Sequence, residues 1–146
     1  MGRVHSPISL HDLDATDWVR FKMVRRFVSI TVLVNVALLW AAGVRERVHF
    51  DPGKNSAIVK GAVLRGERDQ YIVGAKARQT MTVTITSLED NAVFEIGKPG
   101  GGELPGAASG NDATKWRGML PASGDYVISV GGTRGNATYS LSIVIR

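Results

Sequence analysis

The sequence predicts an all-β protein, an antiparallel β-sandwich or jelly-roll-like domain preceded by an N-terminal apolar signal helix. Three observations carry this reading. From Val48 onward the apolar residues recur with a period of two, as they do in strands that bury one face. Clusters of turn formers, Asp51-Pro52-Gly53, Ser123-Gly124-Asp125 and Arg134-Gly135-Asn136, cut those runs into short pieces. Seventeen glycines against 7% aromatics suit many turns and short strands, and about eight strands at this spacing indicate a sandwich.

Taken in order, the chain begins with a leader. Phe27–Gly43, FVSITVLVNVALLWAAG, is an uncharged run that follows Arg20, Lys22, Arg25 and Arg26 and ends on Ala41-Ala42-Gly43. A basic flank, a short apolar stretch and a small-residue end make a secretory signal peptide. With Ser29, Thr31 and Asn35 inside it, the run would span a bilayer core of about 30 Å poorly. Residues 1–43 are therefore expected to be a leader cleaved after Gly43, with Met23 an alternative start and an uncleaved anchor the competing reading. The membrane is met only through residues 27–43. Residues 44–146 are the exported domain, periplasmic or extracellular.

Within that domain Arg47–Asp51 and Ala57–Leu64 are the first expected strands, followed by one through Tyr71, Val73 and Ala75. Thr80–Thr86 is the most regular, with Met81, Val83 and Ile85 alternating with four threonines. Ala92, Phe94 and Ile96 mark the next, and a weaker strand surrounds Trp116–Leu120. Tyr126, Ile128 and Val130 alternate with Asp125 and Ser129, and Tyr139, Leu141, Ile143 and Ile145 with Thr138, Ser140 and Ser142. Gly97–Thr114 carries six glycines and two prolines without a period and is expected to be a mobile surface loop. A domain of about a hundred residues buries roughly 60–70% of its unfolded surface, enough to fold without disulfides.

Composition removes several function classes. The absence of cysteine excludes a disulfide framework, a thiolate zinc site and a cysteine nucleophile, and three histidines leave little for a metal centre. Of the net +5, residues 1–43 hold five Lys/Arg against three Asp/Glu, leaving thirteen against ten for the domain. Those charges are interspersed, so the clustered basic face that nucleic acid requires is missing. His49 is the domain's single histidine, and strand alternation turns it away from Val48 and Phe50, toward solvent. There is no GxSxG elbow and no HExxH. Gly100-Gly101-Gly102 lacks the lysine and helix of a phosphate loop. The acids Asp69, Glu89, Asp90, Glu95, Glu103, Asp112 and Asp125 stand mostly in turn-like contexts. No catalytic residue, metal or cofactor is expected, and the protein is read as a non-enzyme.

A binding surface rests on a few aromatic or arginine anchors. The candidates are Arg134, Tyr126 and Trp116. Arg134, flanked by glycines on what reads as a hairpin tip, can project its planar fork toward a carboxylate. Tyr126 also runs in phase with Ile128 and Val130, which fits a core tyrosine, and Trp116 could equally cap one end of the sandwich. Asn136-Ala137-Thr138 matches a glycosylation sequon, meaningful only in a eukaryotic secretory route.

A wider set of residues carries a resemblance. Phe50-Asp51-Pro52-Gly53-Lys54-Asn55-Ser56-Ala57 and Lys60-Gly61 open it, and Asp69-Gln70-Tyr71, Ala75-Lys76-Ala77-Arg78-Gln79-Thr80-Met81 and Ser87 continue it. Leu120-Pro121-Ala122-Ser123-Gly124-Asp125-Tyr126, Val130, Arg134 and Ala137 complete it. Together these resemble the small exported bacterial β-sandwich domains of the prepeptidase C-terminal type, a group that includes periplasmic inhibitors of goose-type lysozyme. The resemblance implies an envelope binding module that inhibits such a lysozyme through Tyr126 and Arg134. A carbohydrate-binding or structural envelope module, binding a glycan or protein through exposed aromatics such as Trp116, is the alternative. The chain departs from the family pattern at Arg78, where a glycine is usual. It departs again at Ile128, where the inhibitors carry an arginine, and after Arg134, where further basic residues are replaced by Gly135, Asn136, Ala137 and Thr138.

Overall fold

Alternation in the sequence becomes two unlike faces on each strand. In β4 (Thr80–Ser87) Met81, Val83 and Ile85 are buried while Thr80, Thr82 and Thr84 are only half-buried on the other face. The same alternation runs through β3 (Asp69–Ala75), β5 (Ala92–Gly97) and β8 (Ala137–Ile145), and through the first part of β7 (Gly124–Gly132), whose residues Ile128–Gly131 are all buried. A sheet built from such strands has one apolar face, which a second sheet must cover. In the computed structural model, which describes residues 43–146, β1 (Arg45–Arg47), β2 (Ser56–Val63) and β6 (Lys115–Met119) complete two four-stranded sheets. Their orders are β1-β3-β7-β5 and β2-β8-β4-β6. Tyr71, Phe94, Tyr126, Met81, Ile96, Ile128, Leu141 and Ile143 fill the space between them, each worth about 1.5–3 kcal/mol in apolar burial. Of the expected leader 1–43 and its signal run Phe27–Gly43, only Gly43 is described; residues 1–42, Met23 included, lie outside the described residues.

Four expectations are corrected. The first strand is Arg45–Arg47 rather than Arg47–Asp51, because Lys54 N–H donates to the Asp51 carbonyl at 2.9 Å and closes a turn there. It lies parallel to β3, with Arg45 beside Gln70 and Arg47 beside Ile72, the one parallel pair among antiparallel ladders. Gly97–Thr114 is anchored rather than loose. Leu104, Ala107 and Ala113 enter the core, Ile96 N–H donates to the Ala107 carbonyl at 2.7 Å, and Leu104 N–H to that of Ile96 at 2.9 Å. Its glycines serve the turns between these anchors, for Gly100, Gly101, Gly102, Gly106 and Gly110 all have positive φ. The segment bearing Arg134 is not a hairpin. β7 is paired on both sides by β3 and β5, and β8 by β2 and β4, so neither has a free edge for the other. Residues 133–136 therefore cross from one sheet to the other. Finally, Tyr126 is a core residue, treated below.

Arg78 has φ 70°, the left-handed region that costs a side-chain-bearing residue about 1–2 kcal/mol. Its N–H donates to the Leu120 carbonyl at 2.8 Å, which holds the conformation in place. Arg78→Gly relieves that strain but loosens the unfolded chain. The expected net result is a rise of about 3 °C in the thermal midpoint, read by Trp116 fluorescence; a lower midpoint would mean that the arginine side chain stabilises the turn.

Candidate functional site

Two loops meet at one end of the sandwich because the ladders on either side end together. Ala92 pairs with Gly132 in one sheet and Ser87 with Tyr139 in the other. The β4–β5 turn (88–91) is thus set beside the crossing 133–136. Asn91, 2% exposed, joins them. Its side-chain Nδ2 donates to the Arg134 carbonyl at 3.1 Å and to the Asn136 carbonyl at 2.9 Å. Its own carbonyl accepts from Thr133 N–H at 2.8 Å and from the Thr133 hydroxyl at 3.3 Å. The turn is held in turn by Ser87, whose Oγ accepts from the N–H groups of Asn91 and Ala92 at 3.0 and 3.2 Å.

The crossing is also closed internally. Gly135 has φ 65°, and a Cβ on Gly132 would fall 2.7 Å from the Gly135 carbonyl oxygen, so both positions require glycine. Asn136 Oδ1 accepts Arg65 N–H at 2.9 Å, tying in the β2–β3 turn as a third loop. Arg134 is exposed on this braced frame. Its Nη2 donates to the Glu89 carbonyl at 3.1 Å, which leaves most of the five N–H donors of the fork for a partner. Among the described residues no carboxylate pairs with it. Beside it Leu88 stands 96% exposed. An exposed cation and an exposed apolar side chain on a hydrogen-bonded pair of loops suit an acidic, partly apolar cleft.

The other two candidates lie elsewhere. Tyr126 is fully buried, and its hydroxyl donates to the Ala122 carbonyl at 2.6 Å and accepts from Ala122 N–H at 3.3 Å. It offers no surface to a partner and instead fixes the turn ahead of β7. Trp116 faces inward from edge strand β6, opposite Val83, and packs on the core. Its Nε1 donates to the Pro105 carbonyl at 2.9 Å, and a Cβ on Gly118 would lie 2.6 Å from its ring. The indole therefore pins the 97–114 segment over the sheet edge. Ile128 is likewise in the core, so no cation projects from that place.

Among the described residues no three His, Cys, Asp or Glu side chains gather as metal ligands. His49 is exposed. Titration is perturbed in three places away from Arg134, the first being Glu103, whose carboxyl the Ser109 hydroxyl and N–H hold below its usual value. The side-chain bonds of Arg47 hold the Asp125 carboxyl below its usual value, and burial, followed by its bond to Asp69, pushes the Tyr139 hydroxyl far up. Sequence reasoning did not single out Asn91, and it named Ser87 only within the family pattern, with no role. The weak signal for Asn91 was its place after Glu89-Asp90, at the end of a turn. Asn136, noted as a turn former and a sequon position, is a second brace.

No family model matches the chain, and no curated protein matches it. Among solved structures the chain is similar to a periplasmic lysozyme inhibitor of g-type lysozyme from Aeromonas hydrophila, at 35% identity and a TM-score of 0.61, over 72% of this chain and 98% of that one. It is similar to the corresponding inhibitor of Salmonella Typhimurium at 30% identity and a TM-score of 0.57, over 72% of this chain and 100% of that one. A mutant of the Escherichia coli inhibitor matches at 27% identity and a TM-score of 0.60, over the same shares.

Proposed function

The chain belongs to the family of periplasmic inhibitors of g-type lysozyme, and we propose that the crossing bearing Arg134 is the element it presents to such an enzyme. It is an exported, non-enzymatic binding module of the periplasm. The observation that carries the reading is the bracing of Arg134: a charged fork on an immobile loop loses little conformational entropy on binding, which is where loose loops forfeit affinity. Seated in the lysozyme cleft, the guanidinium pairs with a catalytic carboxylate through two parallel N–H···O bonds. Leu88 adds apolar contact beside it. With Ile128 buried, Arg134 is the cation on which the contact depends.

A glycan platform has less behind it, because the indole of Trp116 is engaged with Pro105, Gly118 and the core instead of lying open for a sugar to stack. The test is a muramidase assay with the purified periplasmic protein titrated against goose-type, chicken-type and invertebrate-type lysozymes. Inhibition of the goose-type enzyme alone is the expected result. Absence of inhibition by protein that Trp116 fluorescence shows to be folded would overturn the proposal and point to an envelope protein or glycan as partner.

A further inference from the structure

Asp69 is the one charged side chain among the described residues that is buried, at 3% exposure. Its Oδ2 accepts from the Tyr139 hydroxyl at 2.6 Å, and that hydroxyl meets the one of Tyr71 at 2.6 Å. Burial disfavours ionisation of both tyrosines, so this side of the carboxylate receives neutral donors only. The ion pairs among the described residues are Arg47–Asp125 and Arg68–Glu95, and neither reaches Asp69. A buried carboxylate without a cation is costly. The remaining oxygen, Oδ1, accepts from a backbone nitrogen at 2.8 Å, that of Val44.

That nitrogen belongs to the residue that follows Ala41-Ala42-Gly43. We propose that the Gly43–Val44 peptide bond is the processing site of the exported protein and that the new amino group at Val44 is seated on Asp69 as an ammonium. A leader peptidase hydrolyses the bond with water as co-reactant. The water oxygen goes to the Gly43 carbonyl carbon, leaving a carboxylate on the departing leader, and both water protons end on the Val44 nitrogen, which passes from an amide N–H to an ammonium. The cation that Asp69 lacks is thus supplied where the carboxylate already points.

The local structure holds Val44 in this place. Its carbonyl accepts Gln70 N–H at 2.6 Å, and farther along Val48 N–H donates to the Ile72 carbonyl at 2.9 Å. Arg45 and Arg47 fasten β1 laterally to Gln70 and Asp125. Gly43 is closed in against Arg68, since a Cβ on it would lie 1.9 Å from the Arg68 carbonyl oxygen. Although Val44 is half exposed, its nitrogen and carbonyl are tied to Asp69 and Gln70 and Gly43 abuts Arg68, so the folded segment is not free to enter a peptidase cleft and cleavage precedes folding, on the extended leader during export. Maturation then strengthens the fold, because an uncut chain offers Asp69 a neutral amide in place of a cation. None of this depends on which partner the domain binds.

The experiment exports the full chain in a bacterium and purifies it from the periplasm. Intact mass and N-terminal sequencing are expected to give Val44 as the first residue; any other start, or an uncut chain, overturns the proposal. The mature protein, labelled with ¹⁵N, is then titrated by NMR. The amine meets Asp69; Tyr139, with Tyr71 behind it, bonds the far carboxylate oxygen and both stay neutral; Arg45 and Glu46 follow along β1 and Arg68 precedes Asp69 in the chain. The α-amino group, ordinarily near 7.7–8.0, is expected to hold its proton about tenfold more tightly, and Asp69→Asn to abolish the difference. Because the folded value is raised, the stabilisation is complete below the unfolded value and is lost as pH rises through the folded one. An α-amino group that titrates at its ordinary value in the unsubstituted protein overturns the seating even if Asp69→Asn fails to fold.

Discussion

Arg134→Ala is expected to raise the inhibition constant for goose-type lysozyme about tenfold or more, a loss of about 1.4 kcal/mol at the least. The fold should be almost indifferent to the change. Arg134 is exposed, and its side chain makes a single bond, to the Glu89 carbonyl, of the kind worth under about 1 kcal/mol at a surface. The frame beneath it rests on Asn91, Gly132 and Gly135 and survives the substitution. Inhibition and stability therefore separate at this residue, and a thermal midpoint measured on the same sample shows whether they do. Arg134→Lys asks a finer question. Lysine keeps the charge and loses the planar fork, so an inhibition constant close to that of Arg134→Ala would identify paired N–H···O bonding as the contact. An unchanged constant in Arg134→Ala would remove the proposed anchor.

How far the sequence led can be read from single residues. The threonines of β4 stand away from the core because alternation at period two leaves a strand no other arrangement, and the same logic placed β5, β7 and β8 within a residue or two. Arg134 was also singled out, since an arginine in a Gly-Gly-Thr-Arg-Gly run is conspicuous. What escaped was decided by pairing between distant strands. Gly131-Gly132-Thr133-Arg134-Gly135-Asn136 reads alike whether it joins neighbours in one sheet or crosses between two, and only the filled edges of β7 and β8 settle the matter. The 97–114 segment reads as mobile because glycine content reports permissive backbone, whereas the burial of Leu104 and Ala107 depends on a strand edge that the local sequence does not describe. Tyr126 satisfied two patterns at once, and the turn behind it claimed its hydroxyl. Asn91 gave almost no signal, because its partners lie more than forty positions away.

Asn91 is also where the largest loss of stability outside the hydrophobic core is expected. Asn91→Ala removes the two donors that hold the Arg134 and Asn136 carbonyls while leaving the backbone bonds with Thr133 in place. Each unpaired carbonyl in a buried setting costs about 1–3 kcal/mol. Both lie near the surface, where water recovers part of that, so a total of about 2 kcal/mol is expected, read as a shift in the urea midpoint. If the bracing of the crossing is what makes Arg134 effective, the inhibition constant must rise as well, under conditions where the variant is still folded, because the freed loop must be ordered again on binding. A fall in stability with an unchanged inhibition constant would show that the partner reads the arginine and not the frame. The double substitution decides between additive and coupled roles. Asn91 acts on binding only through the position of Arg134, so Asn91→Ala should weaken inhibition in the parent protein and add nothing once Arg134 is alanine. Equal effects in both backgrounds would mean that the partner touches the β4–β5 turn itself, with Leu88 the first residue to replace.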